Sequence, residues 1–187
     1  MLNPSAPPGK EGKYARVERE RRFVLAGLPH EPVLRTVAIT DRYLIGTRIR
    51  LRRAVESEPP DGPGRVIYKL SQKVPGADGR PGLITTMYLD ESEYRAMAGL
   101  PAAVLHKIRH STPPCGVDTF GGALKGLYLA EAEFKTDEEM AAFTPPVWSV
   151  AEVTADVRFS GALLAETGRD ALDKALADYG LSLTDAM

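Results

Sequence analysis

The chain has 187 residues, 43% of them hydrophobic, and its 24 basic and 25 acidic side chains leave a formal net charge of −1. That length suits one domain, and the balance excludes bulk charge as a source of affinity for anions, which must come from local clustering. A single cysteine, Cys115, excludes an internal disulfide or a cysteine metal cluster within one chain and fits a reducing cytoplasm, while no segment has the apolar length of a membrane span.

Residues 1–12 carry three prolines and no apolar run, so they read as a disordered start, with 13–187 forming a single domain that ends in a helix. The stretch from Arg16 to Val24 reads as a strand in which Glu18, Glu20 and Arg22 share one parity and Val17 and Phe23 the other. Taken alone, its polar side is expected to meet water. A short helix is expected near Pro32 to Val37, before extended character from Ile39 to Leu44. In Thr47 to Arg53, Arg48, Arg50 and Arg52 alternate strictly with Ile49 and Leu51. The Pro/Gly-rich run from Glu56 to Gly64 is a connection. It leads to a strand over Arg65 to Lys73, where Lys69, Ser71 and Lys73 oppose Val66, Tyr68 and Leu70.

After a Gly/Pro connection, Leu83 to Leu89 is a strand without a charge. The acidic first turn of Asp90 to Ala98 predicts a helix that stops at Gly99. Val104 to His110 sets Lys107 and Arg109 against Val104, His106 and Ile108. A short strand over Val117 to Phe120 and another over Gly126 to Phe134 follow, the second aligning Glu131 with Glu133. A helix is expected from Asp137 to Phe143, with Trp148 anchoring the next turn and extended alternation from Glu152 to Phe159. From Ser160 onward, Leu163, Leu164, Ala171, Leu172, Ala175, Leu176 and Tyr179 have amphipathic helical spacing, broken at Gly168.

The charged parities hold eight basic groups (Arg22, Arg48, Arg50, Arg52, Lys69, Lys73, Lys107, Arg109) and six acidic ones (Glu18, Glu20, Glu131, Glu133, Glu152, Asp156). Two arrangements suit them: a sheet with a solvated charged face, or an α+β fold whose antiparallel barrel turns the charges inward with helices packed outside. Patterning leaves both open. A charged lumen would stay hydrated and favour a polyanion such as a phosphate chain, since arginine forks and lysines bind phosphate oxygens and carboxylates bind divalent cations.

In order along the chain, these motifs resemble the CYTH family, or triphosphate tunnel metalloenzymes. The resemblance spans about Tyr14 to Ala165. It rests on Glu18, Glu20 and Arg22, with arginine where lysine is usual; on Thr47-Arg48-Ile49-Arg50; on Lys69; on Lys107-Ile108-Arg109; on Gly126-Leu127 with Ala130-Glu131-Ala132-Glu133; and on Glu152-Val153-Thr154 with Asp156. It implies an eight-stranded antiparallel β-barrel, a triphosphate tunnel. In it Arg22, Arg48, Arg50, Lys69, Lys107 and Arg109 would bind substrate, and Arg52, outside the shortest motifs, is added to them by its shared parity. Glu18, Glu20, Glu131, Glu133 and Glu152 would hold Mg²⁺ or Mn²⁺, and Glu18, Glu20, Lys69 and Glu133 would be the catalytic groups.

The implied activity is metal-dependent hydrolysis of inorganic triphosphate or a related organic triphosphate. The alternatives are a triphosphate- or polyphosphate-binding module with little or no catalysis and, less favoured, an adenylyl cyclase. The family's mid-chain Arg-x-Glu-x-Glu strand is here Leu83-Ile84-Thr85-Thr86-Met87-Tyr88-Leu89, which should impair hydrolysis more than binding. The expected partner is a triphosphate-bearing small molecule; neither nucleic acid nor a membrane is expected, and a homodimer is compatible with the sequence. His30, His106 and His110 lack a metal-binding spacing, and Cys115 is expected in a loop.

Overall fold

The computed structural model describes residues 14–57, 64–76 and 82–183. The expected unstructured segment 1–12, and residues 58–63 and 77–81 of the two expected connections, lie outside them. The described residues form an α+β protein built on one antiparallel sheet of ten strands, in the order β1-β6-β5-β4-β3-β7-β8-β9-β2-β10. The strands are β1 (Arg16–Val17), β2 (Glu20–Leu25), β3 (Arg35–Leu44), β4 (Ile49–Ser57), β5 (Arg65–Val74), β6 (Leu83–Leu89), β7 (Ala102–Thr112), β8 (Cys115–Phe120), β9 (Tyr128–Glu133) and β10 (Ser149–Glu152). The helices are α1 (Glu91–Ala98), α2 (Asp137–Ala142), α3 (Gly161–Leu164) and α4 (Arg169–Ala177). None of them is long and apolar enough to cross a membrane.

The pairing differs from the expected eight-stranded ring: it runs through ten strands and is open, with β1 and β10 at its ends. The expected first strand is split, because its opening residues pair with β6 and its later ones with β9 and β10. Only Glu18 and Arg19 separate β1 from β2, so Val17 and Glu20 are no more than about 11 Å apart. The two ends of the sheet are therefore drawn toward each other, and the sheet is strongly curled. The Glu18 amide donates to the Gly82 carbonyl at 2.9 Å, extending the contact with the β6 end.

Register assigns each side chain to a face. Glu20, Arg22 and Val24 lie opposite Glu133, Glu131 and Leu129. Asp41 lies opposite Arg52 and Leu105, Tyr43 opposite Arg50, and Arg52 opposite Lys69. Arg109 lies opposite Asp118, and Lys107 opposite Phe120. This face carries the charges at one level and apolar groups at another.

Its apolar part joins Val24, Leu105, Phe120 and Leu129 to Phe159, Leu164, Leu172, Ala175 and Leu176 from the C-terminal helices, with Tyr43 packed against the cluster. The expectation that the helices lie outside is thus corrected for α3 and α4, which cover the charge-bearing face at one end. The opposite face is apolar around Phe23, Leu25, Cys115, Val117, Ala130 and Ala132, covered by Phe134, Phe143 and Trp148 around α2. Cys115 is accordingly a buried strand residue rather than a loop residue, and burial pushes its thiol up to about 11. On that face α1 leans on β5, with the Tyr68 and Tyr94 rings 4.7 Å apart.

Two expected elements differ. The helix near Pro32 to Val37 is absent; Leu34 already donates to the Ser111 carbonyl at 2.9 Å and the chain enters β3. The extended run from Glu152 to Phe159 stops with β10, and Asp156 caps a 3-10 turn over Val157–Phe159 by accepting from the Arg158 amide.

Candidate functional site

Most of the singled-out charges meet on the curled face. Arg22 from β2 donates to Glu131 of β9 at 3.3 Å and pairs closely with Glu20. Arg109 of β7 places Nε and Nη2 2.7 Å from the two oxygens of Asp118, and its Nη2 also pairs with Glu131. Gly116 makes that reach feasible: a Cβ there would lie 3.2 Å from Arg109 Cδ, so the side chain lies directly over the glycine. Lys107 Nζ is 2.5 Å from Asp118 Oδ2. Across the sheet, Arg52 forks onto Asp41 at 2.6 and 2.7 Å, and Arg50 Nε stands 3.8 Å from the same carboxylate. Arg50 Nε is buried with no hydrogen-bond acceptor.

The electrostatics register the curl. Burial, and then Glu131 of β9, raise the Glu20 carboxyl above its ordinary range, against the pull of Lys73 on β5 and of Arg22. For Glu131, burial is outweighed by Arg109, Lys107 and Arg22, which hold its carboxyl well below the usual range. Asp41 is likewise lowered, burial yielding to Arg52, Arg50 and Lys107. Tyr43, between the apolar end and Arg50, is pushed up to about 12 by burial and by Asp41.

Some expected residues are placed elsewhere. Glu152 is the clearest correction: its register partner is Phe23, on the opposite face, where it accepts from Arg21 at 2.9 and 2.6 Å and from Thr154 at 2.7 Å. Odd and even positions separate across a sheet, and β10 enters with Glu152 on the wrong parity to join Glu20 and Glu131. Arg48 is exposed in the bend before β4. Glu133 is exposed at the edge of the face, opposite Glu20. Lys69 lies opposite Arg52, its Nζ 5.0 Å from the Tyr88 ring centroid.

Lys73, by contrast, pairs with Glu18 and links β5 to the segment between β1 and β2. Asp41 and Asp118, which sequence reasoning passed over, are the fully buried acids that organise the basic rows. Each shares its parity with uncharged neighbours, Asp41 with Ile39 and Tyr43 and Asp118 with Gly116 and Phe120, so neither belongs to a charged row that alternation could reveal.

The arrangement is a cationic cradle beside a carboxylate edge. Guanidinium forks and ammonium groups of β4, β5 and β7 can grip a multiply charged oxyanion. Glu18, Glu20, Glu131 and Glu133 offer hard oxygen donors of the kind Mg²⁺ or Mn²⁺ takes. Among the described residues, no three His, Cys, Asp or Glu are already gathered as a metal cluster. Glu18, Glu20 and Glu131 are instead engaged by Arg22, Arg109 and Lys73.

No family model matches the chain. An inorganic triphosphatase of Nitrosomonas europaea is 43% identical over 49 residues, which is 26% of this chain and 32% of that protein, so the match spans about a third of the relative's length. The fold is similar to a crystal structure of an inorganic triphosphatase, with a TM-score of 0.53 and 23% identity over 81% of this chain and 96% of that one. A second solved structure, of a hypothetical protein, gives a TM-score of 0.52 and 24% identity over 81% and 99% of the two chains.

Proposed function

We propose that the chain is a CYTH-type triphosphate tunnel protein that binds, and hydrolyses with a divalent cation, inorganic triphosphate or a related organic triphosphate. The observation that carries this reading is the row of Arg50, Arg52, Lys107 and Arg109 on one curled face, with a buried Arg50 Nε lacking an acceptor. A buried guanidinium N–H without a hydrogen-bond acceptor is costly, and a phosphate oxygen would satisfy it. The local similarity to an inorganic triphosphatase and the shared fold support the same substrate class. The two-residue tie between β1 and β2 supports a tunnel: with the ends of the sheet drawn together, the charged face becomes a lumen, and the α3 and α4 cluster blocks one end of it.

In this tunnel Arg50, Arg52, Lys69, Lys73, Lys107, Arg109 and Arg22 bind and align the phosphates, with Arg48 at the entrance. Glu18, Glu20, Glu131 and Glu133 would hold Mg²⁺ or Mn²⁺, which when bound supplies neutralising charge at the phosphoryl oxygens. Glu152 is not among them. Of the groups assigned to catalysis, Glu18, Glu20 and Glu133 would act from the carboxylate edge, and Lys69 would act from β5, beside Arg52. The buried Cys115 thiol accords with a reducing cytoplasm.

A screen for phosphate release from tripolyphosphate, ATP and thiamine triphosphate, each with Mg²⁺ and Mn²⁺, tests the proposal. Release from at least one is expected, and none with either metal would sink the hydrolase reading. A second reading, a triphosphate-binding module, is favoured by β6, which turns Ile84, Thr86 and Tyr88 toward the lumen where a carboxylate pair would assist attack by water. Calorimetric binding of tripolyphosphate without turnover would select it. Chromatography of the ATP products separates both from cyclisation.

A further inference from the structure

Asp41 stands in mid-β3 with no exposed surface, and none of the motifs behind the proposed function includes it. Arg52 donates to both of its oxygens, at 2.6 and 2.7 Å. That fork is the geometry in which a guanidinium holds two oxygens of a phosphate. Arg50 Nε stands 3.8 Å away, too far to be satisfied. Ile39 and Tyr43 are its neighbours on the same face, and Lys107 is near enough to act on its charge. The carboxylate thus occupies, inside the cationic row, the place and bonding pattern of an anionic ligand.

We propose that Asp41 is an internal counter-anion of the cradle, engaging Arg52 when the face is empty and opposing phosphate when it is filled, so that it limits how tightly substrate and product are held. This rests on the face being a triphosphate site. Two other roles make different predictions. A purely structural Asp41 leaves affinity unmoved. An Asp41 that serves chiefly to aim Arg52 at substrate makes its own neutralisation weaken binding. Charge decides between them, because Asp41 takes the Nε and Nη2 edge of Arg52, the edge best suited to phosphate. A unit charge roughly 6–8 Å from a phosphate, at an effective dielectric near 20, alters affinity by about tenfold after screening.

The test is calorimetry of the full chain with inorganic tripolyphosphate and with pyrophosphate, no metal added, for the native protein and Asp41→Asn. The variant should bind both about tenfold more tightly. In steady-state phosphate release it should lower KM and kcat together, because the product leaves more slowly. Unchanged or weaker binding overturns the proposal.

If Asp41→Asn does not fold, Arg52→Gln is compared with the Arg52→Gln/Asp41→Asn double variant. The latter removes both partners of the buried pair, which is better tolerated than leaving one behind. The double variant should bind tripolyphosphate about tenfold more tightly than Arg52→Gln, and equal or weaker binding overturns the counter-anion. A native protein that binds no tripolyphosphate overturns the triphosphate site and this inference together. A native protein that binds, with Asp41→Asn no tighter, overturns this inference alone.

Discussion

Arg50 and Glu152 are both charged residues on the sheet, yet substituting them should have opposite signatures. Arg50→Ala removes a buried donor without an acceptor, so the fold should persist while tripolyphosphate affinity drops about 10- to 100-fold, the range for charge-assisted hydrogen bonds, as read by calorimetry. Glu152→Gln instead weakens a pair with Arg21 on the far face, where the Glu152 side chain is 40% exposed. Such pairs contribute about 0–1 kcal/mol, so thermal stability should fall slightly and tripolyphosphate affinity and phosphate release should not change. A loss of metal-dependent release in Glu152→Gln would restore it as a ligand. At this scale the sequence showed the basic rows, because arginines at 48, 50 and 52 announce a face by alternation. It did not show the buried acids, because a lone Asp41 or Asp118 in an apolar strand carries no periodicity of its own.

The α3 helix is joined to the site by a steric constraint. A Cβ on Gly161 would lie 2.1 Å from the Tyr43 hydroxyl and 3.1 Å from its ring carbon. Gly161→Ala must therefore displace α3 or Tyr43. Overpacking of this kind costs about 1–3 kcal/mol, a fall in Tm of roughly 2–12 °C for a chain of this size. Because Tyr43 lies opposite Arg50, tripolyphosphate affinity should fall as well, which calorimetry on the folded variant checks. By contrast, Asp90→Ala removes the capping box of α1, far from the face, and should cost about 1 kcal/mol of stability with affinity unchanged. Most of the strands were legible from alternation, and α1 from its acidic first turn and its stop at Gly99; β10 and the break between β1 and β2 were not. The run after Glu152 was misread because Val153 and Val157 mimic a strand parity, whereas Asp156 turns the chain between them and leaves Val157 exposed. The amphipathic stripe of α4 showed that one side is buried; nothing in it says which face of a sheet receives it.

For the molecule as a whole, acid should be the damaging condition. Asp41 and Glu131 are held below their unfolded values of about 3.8 and 4.5, so each stabilises the fold above those values and ceases to do so as pH falls through its lower folded value. Glu20 has the opposite sign: its raised carboxyl favours the protonated form, so its contribution declines as pH rises from about 4.5 through its folded value. Two lowered groups against one raised group predict a urea midpoint that drops steeply below about pH 4, and a midpoint that instead rises there would contradict the buried pairs. The antiparallel α+β class was legible because strand after strand alternates. The curl was not, since it depends on β1 and β2 choosing distant partners, and no local pattern encodes that choice.

The same two-residue link constrains how the chain can be assembled. The partners of β1 are residues 83–84 and those of β2 are residues 129–133 and 149–152, so the earliest-made strands wait for some of the last. During synthesis β1 can meet β6 before half of the polypeptide has emerged, whereas the segment from Glu20 to Leu25 has no native neighbour until most of it has, by which time β3, β4 and β5 can already form a meander. Insertion of β2 is then a long-range step that follows the main folding barrier and completes the sheet. Substitutions in β2 such as Phe23→Ala should accordingly speed unfolding while leaving the refolding rate nearly unchanged, a division that stopped-flow fluorescence of Trp148 can measure.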